Sequence, residues 1–148
     1  MRRMFFVAVS LLLASSLVGC NNRGYSHQEA IKKGDVVYLN GVYNFERFEQ
    51  FLSNLANDTK DSIRVTGYTD EGDPIFKDLE YDGQVIHYSY DNSNDAYGGN
   101  KKGIQMDECS EVIKEDNVEG EDRYIISGCT SNNPDISYFL LRVDKKNN

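Results

Sequence analysis

The sequence predicts an α+β fold: one amphipathic helix packed on an antiparallel, largely meander β-sheet, stapled by a single disulfide. Four observations predict it. Residues 45–55 carry one apolar stripe at helical spacing, and residues 62–91 alternate apolar and polar across two turn signals. Cys109 and Cys129 fall opposite each other in a further hairpin. Ten tyrosines suit sheets better than helical bundles.

The first nineteen residues have a different character. Arg2 and Arg3 precede an apolar run over 5–17. As a helix that run would rise about 20 Å, too short for a hydrocarbon core of ~30 Å. It reads as a secretory signal ending in Leu17-Val18-Gly19-Cys20, the pattern of a bacterial lipobox. The Cys20 thiol is the nucleophile that such a site alkylates with diacylglycerol, and two acyl chains anchor stably where one does not. The expected organisation is a lipoprotein signal over 1–19, a lipidated cysteine with a flexible tether over 20–33, and one domain over 34–148. The expected location is the extracytoplasmic face of the cell membrane.

Charge divides along the same boundary. Residues 23–33 carry a balance of +2, and residues 34–148 hold 11 basic and 23 acidic side chains, a balance of −12. A basic tether beside anionic lipid and an acidic domain held off it is a consistent arrangement. The acidity excludes the basic footprint that nucleic-acid binding needs.

Within the domain, residues 35–39 read as a short strand before the turn pair Asn40-Gly41. Asn44 is placed to cap the helix, and Phe45, Phe48, Phe51, Leu52 and Leu55 form its buried stripe, which should end near Asn57 and Asp58. Asp82-Gly83 signals a two-residue hairpin turn. Centred there, Leu79 faces Ile86 and Asp78 faces His87. An earlier turn over 70–74 pairs Val65 with Leu79 and Tyr68 with Phe76. Both registers place Ile63, Val65, Ile75, Leu79, Tyr81, Ile86, Tyr88 and Tyr90 on one face, the floor under the helix. Residues 91–103 are a loop rich in Asn, Asp, Gly and Ser. Strands are expected over 104–114, 123–129 and 136–143.

An even cysteine pair in an exported chain predicts a disulfide. The register that joins Cys109 to Cys129 also pairs Val112 with Ile126, Ile113 with Ile125 and Glu115 with Arg123. Closing that loop is worth about 3 kcal/mol in the chain-entropy model.

Chemistry is sparse. Tyr68, Phe76, Asp78 and His87 form a candidate surface patch on the outer face of the sheet, either a contact surface or a face covered by the 91–103 loop or the C-terminal strands. Asp78, His87 and Ser89 evoke a triad. Residues two apart on a strand, however, lie ~6.6 Å apart, against about 3 Å for a working nucleophile and base. Asp91, Ser93 and Asp95 alternate like a calcium loop, but Ala96 and Lys102 replace the required glycine and bidentate glutamate. No resident metal or cofactor is expected. The turn Asp70-Glu71-Gly72-Asp73-Pro74 reads as a candidate recognition tip, although turn chemistry alone accounts for each of its residues.

The run Thr66-Gly67-Tyr68-Thr69-Asp70-Glu71-Gly72-Asp73-Pro74-Ile75 and then Asp78-Leu79-Glu80-Tyr81-Asp82-Gly83 is one half of a larger pattern. Tyr90-Asp91-Asn92-Ser93, Asp95, Tyr97-Gly98, Cys109 and Gly128-Cys129 complete it. It resembles a family of small lipoproteins of Gram-positive, spore-forming bacteria defined only as a domain of unknown function, over about 35–143. The resemblance implies lipid anchoring and an extracytoplasmic location, and no substrate, catalytic residue or partner. The expected function is a non-enzymatic, membrane-anchored module that binds a protein or a small-molecule ligand. The alternatives are an acidic inhibitor or immunity-like protein that captures a cationic secreted protein, and a cell-envelope enzyme.

Overall fold

The structure, a computed structural model, describes residues 24–118 and 120–145. The expected signal segment, Cys20 and Glu119, on which the expected last hairpin centres, lie outside the described residues. Two helices pack on a mixed six-stranded sheet, and a second, three-stranded sheet completes the α+β fold. The elements are α1 (His27–Lys33), β1 (Val36–Tyr38), β2 (Val42–Tyr43), α2 (Phe45–Ala56), β3 (Asp61–Tyr68), β4 (Pro74–Tyr81), β5 (Ile86–Asp91), β6 (Ile104–Cys109), β7 (Glu111–Val118), β8 (Glu121–Ser127) and β9 (Phe139–Asp144). The first sheet runs β2-β1-β3-β4-β5-β6 and the second β7-β8-β9.

The apolar stripe on α2 explains the core. Phe48 and Phe51 are fully buried against Val36, Ile63 and Val65 on one side, and Phe48 meets Tyr124 of the second sheet edge-on at 5.1 Å. The inner face of the first sheet is therefore shared by a helix and a sheet, not covered by the helix alone. β1 runs parallel to β3, with Val36 opposite Val65, because α2 carries the chain back between them. The sheet is mixed for this reason, where the sequence suggested a wholly antiparallel one.

Two hairpin registers differ from expectation by two residues. Tyr81 pairs with Ile86 and Leu79 with Tyr88, leaving a four-residue loop at Asp82, Gly83, Gln84 and Val85. The Asp82 carboxylate accepts from Gln84 N (2.8 Å) and Val85 N (2.9 Å), an Asx turn that outcompetes the two-residue type. Those amide hydrogen bonds, with His87, hold Asp82 down at about 2. Likewise Tyr68 pairs with Pro74, and Ile63 with Leu79. A shift of two preserves parity, so the expected floor keeps its face. Six of its eight residues are buried in the core: Ile63, Val65, Leu79, Tyr81, Ile86 and Tyr88.

Residues 27–33 are a helix, not part of a flexible tether. Ser26 Oγ accepts from Glu29 N at its start, and Gly34, at φ +91°, closes its end with amide bonds to Ala30 and Ile31 carbonyls. Ala30 is fully buried, as are Val37 and Thr66 on the outer face of the first sheet. Asn44 occupies the N-cap position of α2 with its side chain turned elsewhere. Its amide donates to Ile31 O (3.1 Å) and Asp35 O (2.8 Å), tying α1 to the start of α2.

The expected single strand over 104–114 breaks at Ser110, where the chain leaves the first sheet for the second. Cys109 and Cys129 are bonded across this corner, with Cα atoms 3.9 Å apart. The register of β7 and β8 is the expected one, Val112 on Ile126 and Ile113 on Ile125. Gly128, at φ +64°, lies so close to Ser110 that a Cβ there would collide with its side chain.

Asp107, buried beside the bridge, holds the other half of the corner. Its Oδ1 accepts from Glu108 N, Thr130 N, Thr130 Oγ1 and Ser131 N at 2.9–3.1 Å. Its Oδ2 accepts from Ser131 Oγ (2.6 Å) and Tyr138 OH (2.7 Å). Burial raises its pKa, but the bonds from Ser131, Tyr138 and Thr130 outweigh it and hold the carboxyl well below the usual range. A depressed folded pKa adds stability that is complete above about pH 5 and lost as pH falls below about 4. Asp107→Asn should therefore cost about 2–3 kcal/mol at neutral pH, because it leaves buried donors unpaired. Thermal melts at pH 7, 5 and 3 should show the gap from wild type narrowing as the acid arm is entered. A gap unchanged across those melts would contradict the charge assigned to Asp107.

Candidate functional site

An open cleft of about 1160 Å³ lies where one end of the first sheet faces β9. Tyr38 and the Asn40-Gly41 turn form one wall, Phe139, Arg142 and Asp144 the other, and Tyr68, Thr69 and Asp70 the rim. Each wall follows from local sequence. Asn40 and Gly41 take positive φ to reverse the chain, which presents Val42 and Tyr43 at the sheet edge. Tyr38 of the first sheet meets Phe139 of the second edge-on, centroids 5.7 Å apart.

Lys77 sits at the floor. Its Nζ donates to Phe139 O (2.7 Å) and Leu140 O (3.3 Å) and lies 5.2 Å from the Phe139 ring. The pairing of β8 with β9 shifts register between Tyr124 and Ile125, which leaves Leu140 outside the ladder. The ammonium supplies these irregular carbonyls with a donor. Burial pushes Lys77 down to about 8. Lys77 was missed as a site residue, although a signal existed: it occupies an apolar-face position of β4 between Ile75 and Leu79.

The sequence-derived turn stands at the rim of this cleft. Thr69 N bonds Asp73 O, and Gly72 N bonds Thr69 O, both at 2.9 Å. Gly72 adopts φ +91°. Asp73 N donates to Thr69 Oγ1, while Asp73 Oδ2 accepts from Ala96 N at 2.8 Å. Pro74 is buried, and Asp70 and Glu71 are exposed. Asp73 thus holds the 91–103 loop in place, and Asp70 faces the cleft.

The candidate patch is not one surface. Asp78 faces Ser89 and binds Arg64 through two contacts, 2.6 and 2.8 Å. His87 faces Glu80 and lies 3.2 Å from Asp82. The expected Asp78–His87 pair is therefore replaced, as the two-residue shift requires. Tyr68 and Phe76 are half-buried, and the ring contacts they make are with the N-terminal segment and Arg64. Tyr25 meets Phe76 edge-on at 5.2 Å, Arg64 lies over the same ring at 4.7 Å, and His27 approaches Tyr68 at 6.5 Å.

In the 91–103 loop the carboxylates serve their own backbone. Asp91 Oδ1 accepts from Ser93 N, and Asp95 Oδ1 from Tyr97 N. Among the described residues, one group of possible metal ligands converges, Asp107 with Cys109 and Cys129. Both sulfurs are spent in the disulfide.

A family model described as Domain of unknown function (DUF4362) matches residues 33–125. The chain belongs to this family. No curated protein and no solved structure matches it. The DUF4362 match spans β1 to β7, the 70–74 turn, Lys77, Asp107 and Cys109. It ends before Cys129 and β9, short of the 35–143 span suggested by resemblance.

The geometry assigns different roles within the turn. Asp73→Ala should destabilise by about 1 kcal/mol or more, because it removes the acceptor of Ala96 N. Glu71→Ala should leave the melting temperature within error. Equal effects of the two substitutions would contradict this division.

Proposed function

We propose that the chain is a lipid-anchored extracytoplasmic binding module, non-enzymatic, whose ligand site is the cleft between the two sheets. The cleft is the observation that carries this reading. It is concave, rimmed by aromatic rings, and floored by a cation whose hydrogen bonds go to backbone carbonyls, the make-up of a ligand pocket. The anchor follows from Leu17-Val18-Gly19-Cys20 behind a short apolar run.

A second reading is favoured by the charge. A balance of −12 over residues 34–148 suits capture of a cationic secreted protein by electrostatic steering. The two readings separate by salt, since steering weakens sharply as ionic strength rises.

Two measurements test the proposal. Cys20→Ala should leave the chain unprocessed or released, whereas wild type fractionates with membranes. A variant still processed and still in the membrane pellet would sink the anchor. A photo-crosslinking residue at exposed Tyr43, in the cleft wall, should trap a partner on intact cells. The same residue at Glu111, exposed on the second sheet, should not. Identical products from both positions, or none from Tyr43, would overturn the cleft assignment.

A further inference from the structure

Tyr25 packs onto the domain just ahead of α1. Its hydroxyl donates to Asp35 Oδ2 (2.8 Å), which also accepts from the buried Thr66 Oγ1 (2.7 Å). Its ring lies against Phe76, with Lys33 Nζ 4.7 Å from its centre. Burial, and then the Asp35 bond, push the Tyr25 phenol up to about 12. Five residue steps separate Tyr25 from Cys20. At no more than about 3.6 Å each they reach about 18 Å. A domain of this size is roughly 35 Å across. A lipid on Cys20 therefore holds Tyr25 within about half a domain width of the bilayer. Tyr25 and α1 lie on the outer face of the first sheet, and the second sheet covers the inner face.

We propose that the α1 face of the first sheet is a membrane-contact surface, with Lys32 and Lys33 meeting anionic headgroups of the bilayer that holds the anchor. The proposal rests on the lipid-anchor reading above. Charge along α1 agrees with it: Lys32 and Lys33 are exposed and residues 23–33 balance at +2, with Lys33 also paired to Glu29 at 2.8 Å, and on the same face Asp78 is neutralised by Arg64. The second sheet then points to the medium, two layers away at about 10 Å per layer.

The chain has no tryptophan, so a single introduced indole reports its own position. Gln28→Trp places it on α1 and Glu111→Trp on the second sheet, both at exposed positions. Each full chain is expressed with its signal, purified from membranes, checked by mass for acylated Cys20, and reconstituted. The vesicles contain phosphatidylcholine, phosphatidylglycerol and a headgroup-nitroxide lipid. Quenching at residue 28 should exceed that at residue 111 by at least about twofold, and Lys32→Glu with Lys33→Glu should reduce it. Acylated chains quenched equally at both positions, or more at 111, would overturn the contact surface alone. Quenching at 28 unmoved by the charge reversal would remove the headgroup contact. A chain without acyl mass on Cys20 would overturn both the anchor and the surface.

Discussion

The fold depends on one corner. Cys109 ends the last strand of the first sheet, Glu111 begins the second, and only Ser110 lies between them. A single-residue link leaves the angle between two sheets nearly free, so side chains must set it. The disulfide to Cys129 fixes one side of the corner, and Asp107, bonded to Thr130, Ser131 and Tyr138, fixes the other. With that angle set, Tyr124 and Ile126 reach the core beside Phe48 and Phe51. At the opposite end the sheets diverge into the cleft, bridged by Lys77 reaching the β9 carbonyls.

Much of this was legible in the sequence because alternation is robust to small slips. The apolar face of β3, β4 and β5 survives two registers that are each shifted by two, since parity decides the face. The shifts came from side chains that bind their own loop, Asp82 in one turn and Thr69 with Asp73 in the other. Such competition between local bonds and turn type is hard to weigh from residue identity. The β7–β8 register was readable because the cysteine pair pins it. Helix α1 was not, since a seven-residue, mostly polar segment lacks the length to be helical alone. It exists through Ala30, Tyr25 and Asp35, contacts that only the folded chain makes. The parallel β1–β3 pair and the corner at Ser110 are non-local in the same way. Lys77 was visible as a lysine in an apolar stripe, but its partners, irregular carbonyls 62 and 63 residues away, were not.

The docking of the N-terminal segment changes what the candidate patch means. Phe76 packs against Tyr25 and Tyr68 lies near His27, so part of the aromatic surface is used within the molecule while Tyr68 still reaches the cleft rim. The same docking shortens the link between anchor and domain, which gives the molecule a lipid-facing side in the reading proposed here. The cleft lies between the sheets, and its rim is the 70–74 turn, held by Asp73 to the neighbouring loop. Rigid strands thus present a rim whose exposed side chains, Asp70 and Glu71, are not consumed in holding its shape.

Hydrogen exchange on a Cys109→Ser, Cys129→Ser double variant tests the central role of the corner most directly. If the corner sets the packing of the two sheets, amides of β7, β8 and β9 lose protection together. Those of β3, β4 and β5 should retain most of theirs, because their ladders and α2 remain. Loss confined to the residues flanking the two cysteines, or spread uniformly over both sheets, would contradict the account.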